Sequence, residues 1–235
     1  MLLLGIDLGT SAIKVSVVDA HTQKAVASAQ YPETESPIIA LQTGWAEQDP
    51  QQWWHDIRQC ILKCNASERY DPRQIAAIGI SYQMHGLVIV DKNGTPLRHS
   101  IIWCDSRAVP YGQAAFEKIG EQTCLETLLN SPGNFTAAKL AWVKENEPAL
   151  FEKLHKVMLP GDFIAYQFTG QFTTTPSALS EGILWDFSKN DIANSVMDCF
   201  GFDSSIIPDI QDVFSSHGAL KEDLARELNL TAGIP

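Results

Sequence analysis

Residues 2–19 read LLLGIDLGTSAIKVSVVD, two apolar runs around a polar centre of Asp7, Gly9, Thr10 and Ser11. Residues 2–7 form an apolar run ending in an acid, the signature of a buried strand. From Ala12 to Asp19 the pattern alternates, with Ile13, Val15 and Val17 on one face and Lys14 and Ser16 on the other, as in a half-buried strand. After the polar turn AHTQ a third strand is expected over 24–31. The chain therefore opens as an antiparallel three-strand meander. Its first turn carries more chemistry than a turn needs.

Gly9 allows the backbone to bend sharply and to approach a ligand closely. The hydroxyls of Thr10 and Ser11 and the adjacent N–H groups then form a small anion nest at the tip. Asp7 ends the first strand beside it. A carboxylate next to a phosphate is repulsive unless a cation lies between them, and Mg²⁺ favours one or two carboxylates completed by phosphate oxygens and water. Lys14 either adds positive charge to this site or is a plain solvated lysine. The same residues also describe a hairpin whose turn is merely polar, and neither GxxxxGK[ST] nor GxGxxG occurs.

The remainder reads as one α/β unit without repeats or low-complexity runs. DPQQWWHDIRQCILKC (49–64) is a helix, with Asp49 as N-cap, Pro50 in the first turn and Gln52 at capping-box spacing. Trp53, Ile57, Ile61 and Cys64 recur at helical intervals and make a core face. IAAIGIS (75–81) and LVIVD (87–91) are strands, Asn93-Gly94 is a tight turn, and SIIWCDSR (100–107) is a short strand with a polar end. Helical patterns follow near 107–120, 136–146, 162–169, 189–199 and 220–229, with Asp162 as the expected N-cap of the third. The closing LNLTAGIP reads as a helix end, a turn and the start of an apolar segment.

The 235 residues carry a net charge of −11, which disfavours nucleic acid and anionic membrane as partners but not small anions held by backbone N–H groups. Cys60, Cys64, Cys104, Cys124 and Cys199 form no CxxC pair and no zinc-ligand spacing, so reduced, mostly buried thiols are expected. No export signal or spanning segment is read, and a cytoplasmic location is expected.

Two further clusters stand out. QMHG (83–86) joins two strands, so its side chains lie at a strand end, and a neutral His85 both donates and accepts hydrogen bonds. On residue type alone His85 reads first as an ordinary partly buried histidine. In WCDSR (103–107), alternation puts Trp103, Asp105 and Arg107 on one face if the strand continues. That fits an aromatic platform and a carboxylate for a sugar, or else a core Trp with a surface Asp–Arg pair.

The opening hairpin resembles the first phosphate loop of the actin, hexokinase and heat-shock chaperone ATPase superfamily. GWAEQDPQQWW (44–54), IGISYQMHGLVIVDKNG (78–94), IIWCDSRA (101–108), SPGNFTAAKLAWVKENEP (131–148) and MLPGDFIAYQFTG (158–170) together resemble the FGGY carbohydrate kinases, closest to the xylulokinase branch. The resemblance implies a ribonuclease H-like α/β fold with a mixed sheet, beginning in the antiparallel meander and flanked by helices on both faces. It implies that residues 1–235 are an N-terminal kinase domain. ATP and Mg²⁺ would be handled through Asp7, Gly9, Thr10, Ser11 and Lys14, and phosphate passed to D-xylulose.

Gln83, Met84 and His85 match the family's sugar-binding loop, where glycerol-specific members carry Arg-Glu at the positions of Met84 and His85. Trp103 and Asp105 would join the sugar pocket, and Asn134 falls where glycerol-specific members have a substrate-binding aromatic hydroxyl. The general base and the second ATP-binding half would lie in a following C-terminal domain, so this chain by itself is expected not to turn over. The segment TTTPSALSEGILWDF (173–187) departs from the family's D-x-S-[DN]-A-[SA] run, and no role passes to Thr174, Ser177 or Ser180. Expected partners are sugar, ATP and the C-terminal domain, and a homodimer is open. The competing readings are a kinase for another pentulose or a sugar alcohol, and a non-catalytic sugar-responsive ATPase-fold domain.

Overall fold

A computed structural model describes all 235 residues. Strands β1 (Leu2–Leu8), β2 (Ile13–Asp19) and β3 (Lys24–Tyr31) form the antiparallel meander. The short β4 (Glu47–Gln48) leads into helix α1 (Pro50–Asn65), which returns the chain to β5 (Ile75–Tyr82), parallel to β1. The sheet order is β3-β2-β1-β5.

Helix α1 starts at Asp49, whose carboxylate accepts from the N–H of Gln51 at 2.9 Å. Gln52 does not close a capping box, because its amide donates to Asp56 at 2.7 Å. The stripe of Trp53, Ile57, Ile61 and Cys64 is buried. The thiols of Cys60 and Cys64 reach the carbonyls of Ile13 and Val15 at 3.5 and 3.7 Å, so α1 is keyed into β2. Burial pushes these thiols up, to about 12 and about 11, which makes them inert packing groups. All five cysteines are free.

Helices cover only one face of the four-stranded sheet. Leu2, Leu4, Ile6 and Leu8 are buried in the same core as α1, whereas Leu3, Gly5 and Asp7 point to the opposite, open face. The apolar run at the start is thus not buried on both sides.

Beyond β5, β6 (Val88–Val90) and β7 (Ser100–Ile101) precede helix α2 (Val109–Ile119), the turn α3 (Glu121–Thr123), helix α4 (Thr136–Asn146) and the turn α5 (Pro148–Phe151). Then come β8 (Lys156–Met158), α6 (Pro160–Thr169), β9 (Thr173–Thr174) and α7 (Pro176–Glu181). Strand β6 pairs antiparallel with β8 and is covered on both faces. Val88 and Val90 join the core that holds Phe163 and Ile164 of α6, while Leu87 and Ile89 join a second core with Leu140 and Val143 of α4.

Several elements are shorter than their sequence pattern. The expected strand over 100–107 stops at Ile101, and the last helices span only Asn194–Phe200 and Glu222–Glu227. Asp162 is not the N-cap of α6. It sits two residues into the helix and reaches back to accept from the N–H of Leu159 at 3.1 Å. At the end of the chain, the carbonyl of Pro235 accepts from the N–H of Ile78 at 2.9 Å, on the edge of β5. No helix is long and apolar enough to cross a membrane.

Candidate active site

The register places Asp7 between Lys14 on β2 and Ser81 on β5, all three on the open face of the sheet. Its carboxylate is half exposed, with the Lys14 ammonium 4.0 Å away and the Ser81 hydroxyl donating at 3.5 Å. An acid so lightly held keeps oxygen lone pairs free for a cation. No group of three or more His, Cys, Asp or Glu side chains forms a metal cage anywhere in the chain. A single half-exposed carboxylate is compatible with Mg²⁺, which takes one or two carboxylates and completes its shell from phosphate and water.

At the hairpin tip, a Cβ on Gly9 would sit 2.7 Å from the carbonyl oxygen of Ala12, so only glycine allows this bend. Ser11 is exposed, and its carbonyl accepts from the N–H of Ser36 at 2.7 Å. Thr10 behaves differently from the expectation of a free phosphate ligand. Its hydroxyl donates to Gln83 Oε1 at 3.1 Å and accepts from Trp103 Nε1 at 2.9 Å. The Gln48 amide donates to the Thr10 carbonyl at 2.8 Å, and Gln48 Oε1 accepts from Gln83 at 2.9 Å and from Trp53 at 3.2 Å. Four segments distant in sequence are tied together at this point.

The loop after β5 turns through Met84, which is 55% exposed, to His85, which adopts a left-handed φ of 60°. Gly86 follows because a Cβ there would meet the Pro160 ring at 2.6 Å. His85 donates its backbone N–H to Glu181 Oε1 at 2.5 Å, and its Nδ1 lies 3.1 Å from the Glu181 carbonyl oxygen. Its own carbonyl accepts from Lys139 Nζ at 2.6 Å. Burial lowers the imidazole below its ordinary value, so it is neutral at pH 7.

Asp105 requires a correction. Because the strand ends at Ile101, alternation does not carry Trp103 and Asp105 to one face. Asp105 is fully buried. Its carboxylate accepts from the N–H of Ala46 at 2.6 Å, from the N–H of Arg107 at 2.8 Å and from the Arg107 guanidinium at 2.7 Å. It has no capacity left for a ligand. Arg107 also meets Glu47 at 2.6 Å and lies 3.7 Å over the Trp45 ring, so the pair is a buried brace. Asn134 is likewise turned inward, its amide donating to the Asp105 carbonyl and its Oδ1 buried without a partner. Trp103 is 51% exposed and remains accessible to a ligand.

Three residues at the site escaped the sequence reading. Gln48 lies in GWAEQDPQQWW, a stretch that carried the family likeness but was given no residue role. Lys139 is fully buried, and the signal for it was a lysine within the otherwise apolar AAKLAWV of α4. Glu181 sits in the 173–187 segment that departs from the family pattern. Burial pushes Glu181 up to about 7 and Lys139 down to about 8. Two concave sites, of about 500 and 540 Å³, lie elsewhere. One is lined by Trp45, Arg98, His99 and Glu147, the other by β5, α6 and Val213–Gly218, and neither includes Asp7, His85 or Trp103.

The family model described as "FGGY family of carbohydrate kinases, N-terminal domain" matches residues 2–235. A Bacillus subtilis protein named xylulose kinase is 30% identical over 228 residues, covering 97% of this chain and 45% of that protein. The crystal structure of a protein titled a xyloylose kinase from Brucella ovis superposes with a TM-score of 0.89 at 30% identity, over 99% of this chain and 47% of that one. The structure titled xylulose kinase from Rhodospirillum rubrum superposes with a TM-score of 0.91 at 23% identity, over all of this chain and 48% of that one, a likeness of fold. The chain thus spans about half the length of the curated relatives it matches.

Proposed function

Because this chain belongs to the FGGY family of carbohydrate kinases, we propose that residues 1–235 are the N-terminal domain of an ATP-dependent kinase that converts D-xylulose to D-xylulose 5-phosphate. The observation that carries this reading is Asp7, half exposed on the uncovered sheet face beside a glycine tip that is bonded to the QMHG loop through Thr10 and Gln83. A nucleotide handled at the tip and a sugar handled at the loop would then share one framework.

In this reading Asp7 would hold Mg²⁺ beside the nucleotide phosphates, and the ion would supply neutralisation of the charge that develops during phosphoryl transfer. Gly9, Ser11 and the tip N–H groups approach the phosphates, Lys14 adds positive charge beside them, and Thr10 holds the tip in place. Met84, the neutral His85 and the exposed face of Trp103 receive the sugar, while Gln83 orients the loop from beneath. The carboxylate that takes the hydroxyl proton and the second half of the ATP site belong to a C-terminal domain, as in the family the chain belongs to. The enzyme works in the cytoplasm, where ATP and Mg²⁺ are supplied.

Full-length protein given ATP, Mg²⁺ and D-xylulose should release ADP, and the 235-residue chain should release none. Turnover by the chain alone would place the proton acceptor within these residues instead. A panel of pentuloses and sugar alcohols tests the substrate, and absence of binding to all of them would favour a non-catalytic ATPase-fold domain.

A further inference from the structure

Every polar group of His85 except Nε2 is held by a protein partner, Glu181 or Lys139. Its N–H donates to the Glu181 carboxylate at 2.5 Å and its carbonyl accepts from the fully buried Lys139 at 2.6 Å. Its Nδ1 lies 3.1 Å from the backbone carbonyl oxygen of Glu181. A carbonyl oxygen can only accept, so the ring proton sits on Nδ1 and the lone pair on Nε2. That is the reverse of the tautomer that prevails for an imidazole free in water. The Phe135 ring packs T-shaped against the imidazole on another side, with centroids 4.5 Å apart. A buried ammonium is a costly way to hold one carbonyl, and an apolar residue of similar length would fill the same space without that cost.

We propose that Glu181 and Lys139 are positioning residues that fix His85 in its left-handed, Nδ1-protonated form, so that Nε2 is offered as an acceptor to a substrate hydroxyl. The ligand group at this point must therefore be a hydrogen-bond donor, which in a sugar is a hydroxyl and not the carbonyl oxygen. The identity of the ligand rests on the sugar-kinase reading, whereas the tautomer and its two supports do not.

The test begins with long-range ¹H–¹⁵N NMR of histidine-labelled chain at neutral pH, with His85→Gln to assign the signal. A protonated Nδ1 and an unprotonated Nε2 are expected, and a protonated Nε2 in the wild type would overturn the proposal. Glu181→Ala and Lys139→Met should move the signal toward the free-imidazole pattern, while Glu181→Gln, which keeps an acceptor for the His85 N–H, should not. An unchanged tautomer in both Glu181→Ala and Lys139→Met would remove the positioning role.

Calorimetry of the full-length protein with D-xylulose should show affinity falling about tenfold in Glu181→Ala, the loss of roughly one ligand hydrogen bond, and recovering in Glu181→Gln. Undiminished affinity in His85→Gln would overturn presentation to the sugar, while the wild-type NMR signal reports on the positioning by itself.

Discussion

Thr10 and Gln83 lie 73 residues apart in the chain, yet the Thr10 hydroxyl donates to Gln83 Oε1 at 3.1 Å. The bond joins the tip of the opening hairpin to the end of β5, and Gln48 completes the ring by bonding both. Each partner is short and polar, and each is anchored by backbone that the sheet has already fixed. The tip is therefore stiff before any ligand arrives, which is the condition for a binding group to act without reorganising.

Gln48→Leu should test the ring. Gln48 is 3% exposed, and its loss leaves the Trp53 indole N–H and the Gln83 amide without that acceptor. Stability should fall by about 1–3 kcal/mol, the usual cost of stranding buried polar groups. Urea denaturation should show a lower midpoint with the slope unchanged.

Asp7→Ala should behave in the opposite way. Its nearest charge is 4.0 Å away and both side chains are more than half exposed, so stability should shift by less than about 1 kcal/mol. In the full-length enzyme kcat should drop on the order of a hundredfold or more, while the KM for sugar stays near the wild-type value, because charge control is lost in the transition state. Equal losses in both would count against a metal role for Asp7.

Trp103 and Asp105 should separate cleanly although they are neighbours in sequence. Asp105→Ala leaves the Ala46 N–H without its acceptor and the buried Arg107 guanidinium with Glu47 as its remaining carboxylate, and should cost about 3 kcal/mol of stability. Trp103→Ala should leave the melting temperature nearly unchanged and weaken sugar binding. Calorimetric melts and sugar titrations on the two variants check this.

The pH dependence of stability carries a signature of Glu181. Burial raises its carboxyl from 4.5 to about 7, so the folded protein holds a proton that the unfolded chain has released between those values. This contribution is complete below the unfolded pKa and is lost as pH rises through the folded one. Asp162, raised to about 7 by the same cause, adds to the fall. Lys139, lowered to about 8 by burial, acts the other way, and its penalty is relieved as pH rises from about 8 toward 10.5. Glu181→Gln, neutral at every pH, should therefore gain stability relative to the wild type between pH 4.5 and 7. Denaturation midpoints of the two proteins across that range should diverge. Parallel curves would show that the Glu181 carboxyl titrates normally.

By itself the sequence determined the meander, α1 with its Asp49 cap, and the likeness to sugar kinases. These rest on local periodicity and on short-range hydrogen bonds, which a linear string displays. It also marked Gly9 as the pivot of the tip, since a sharp bend between two apolar strands leaves glycine as the natural occupant. Only the tertiary structure decided the direction of each polar side chain. Asp105 and Trp103 stand two residues apart, but the strand that would have aligned them ends at Ile101, and the Asp105 carboxylate is taken by Arg107 and the Ala46 backbone. Thr10 turns inward for the same kind of reason, because Gln83 and Trp103 arrive beside it from other segments. Lys139 and Glu181 gain their meaning only from His85, a residue distant from both in the chain. A buried polar group must find a partner, and that partner is chosen by the packing of the whole chain rather than by the spacing of residues along it.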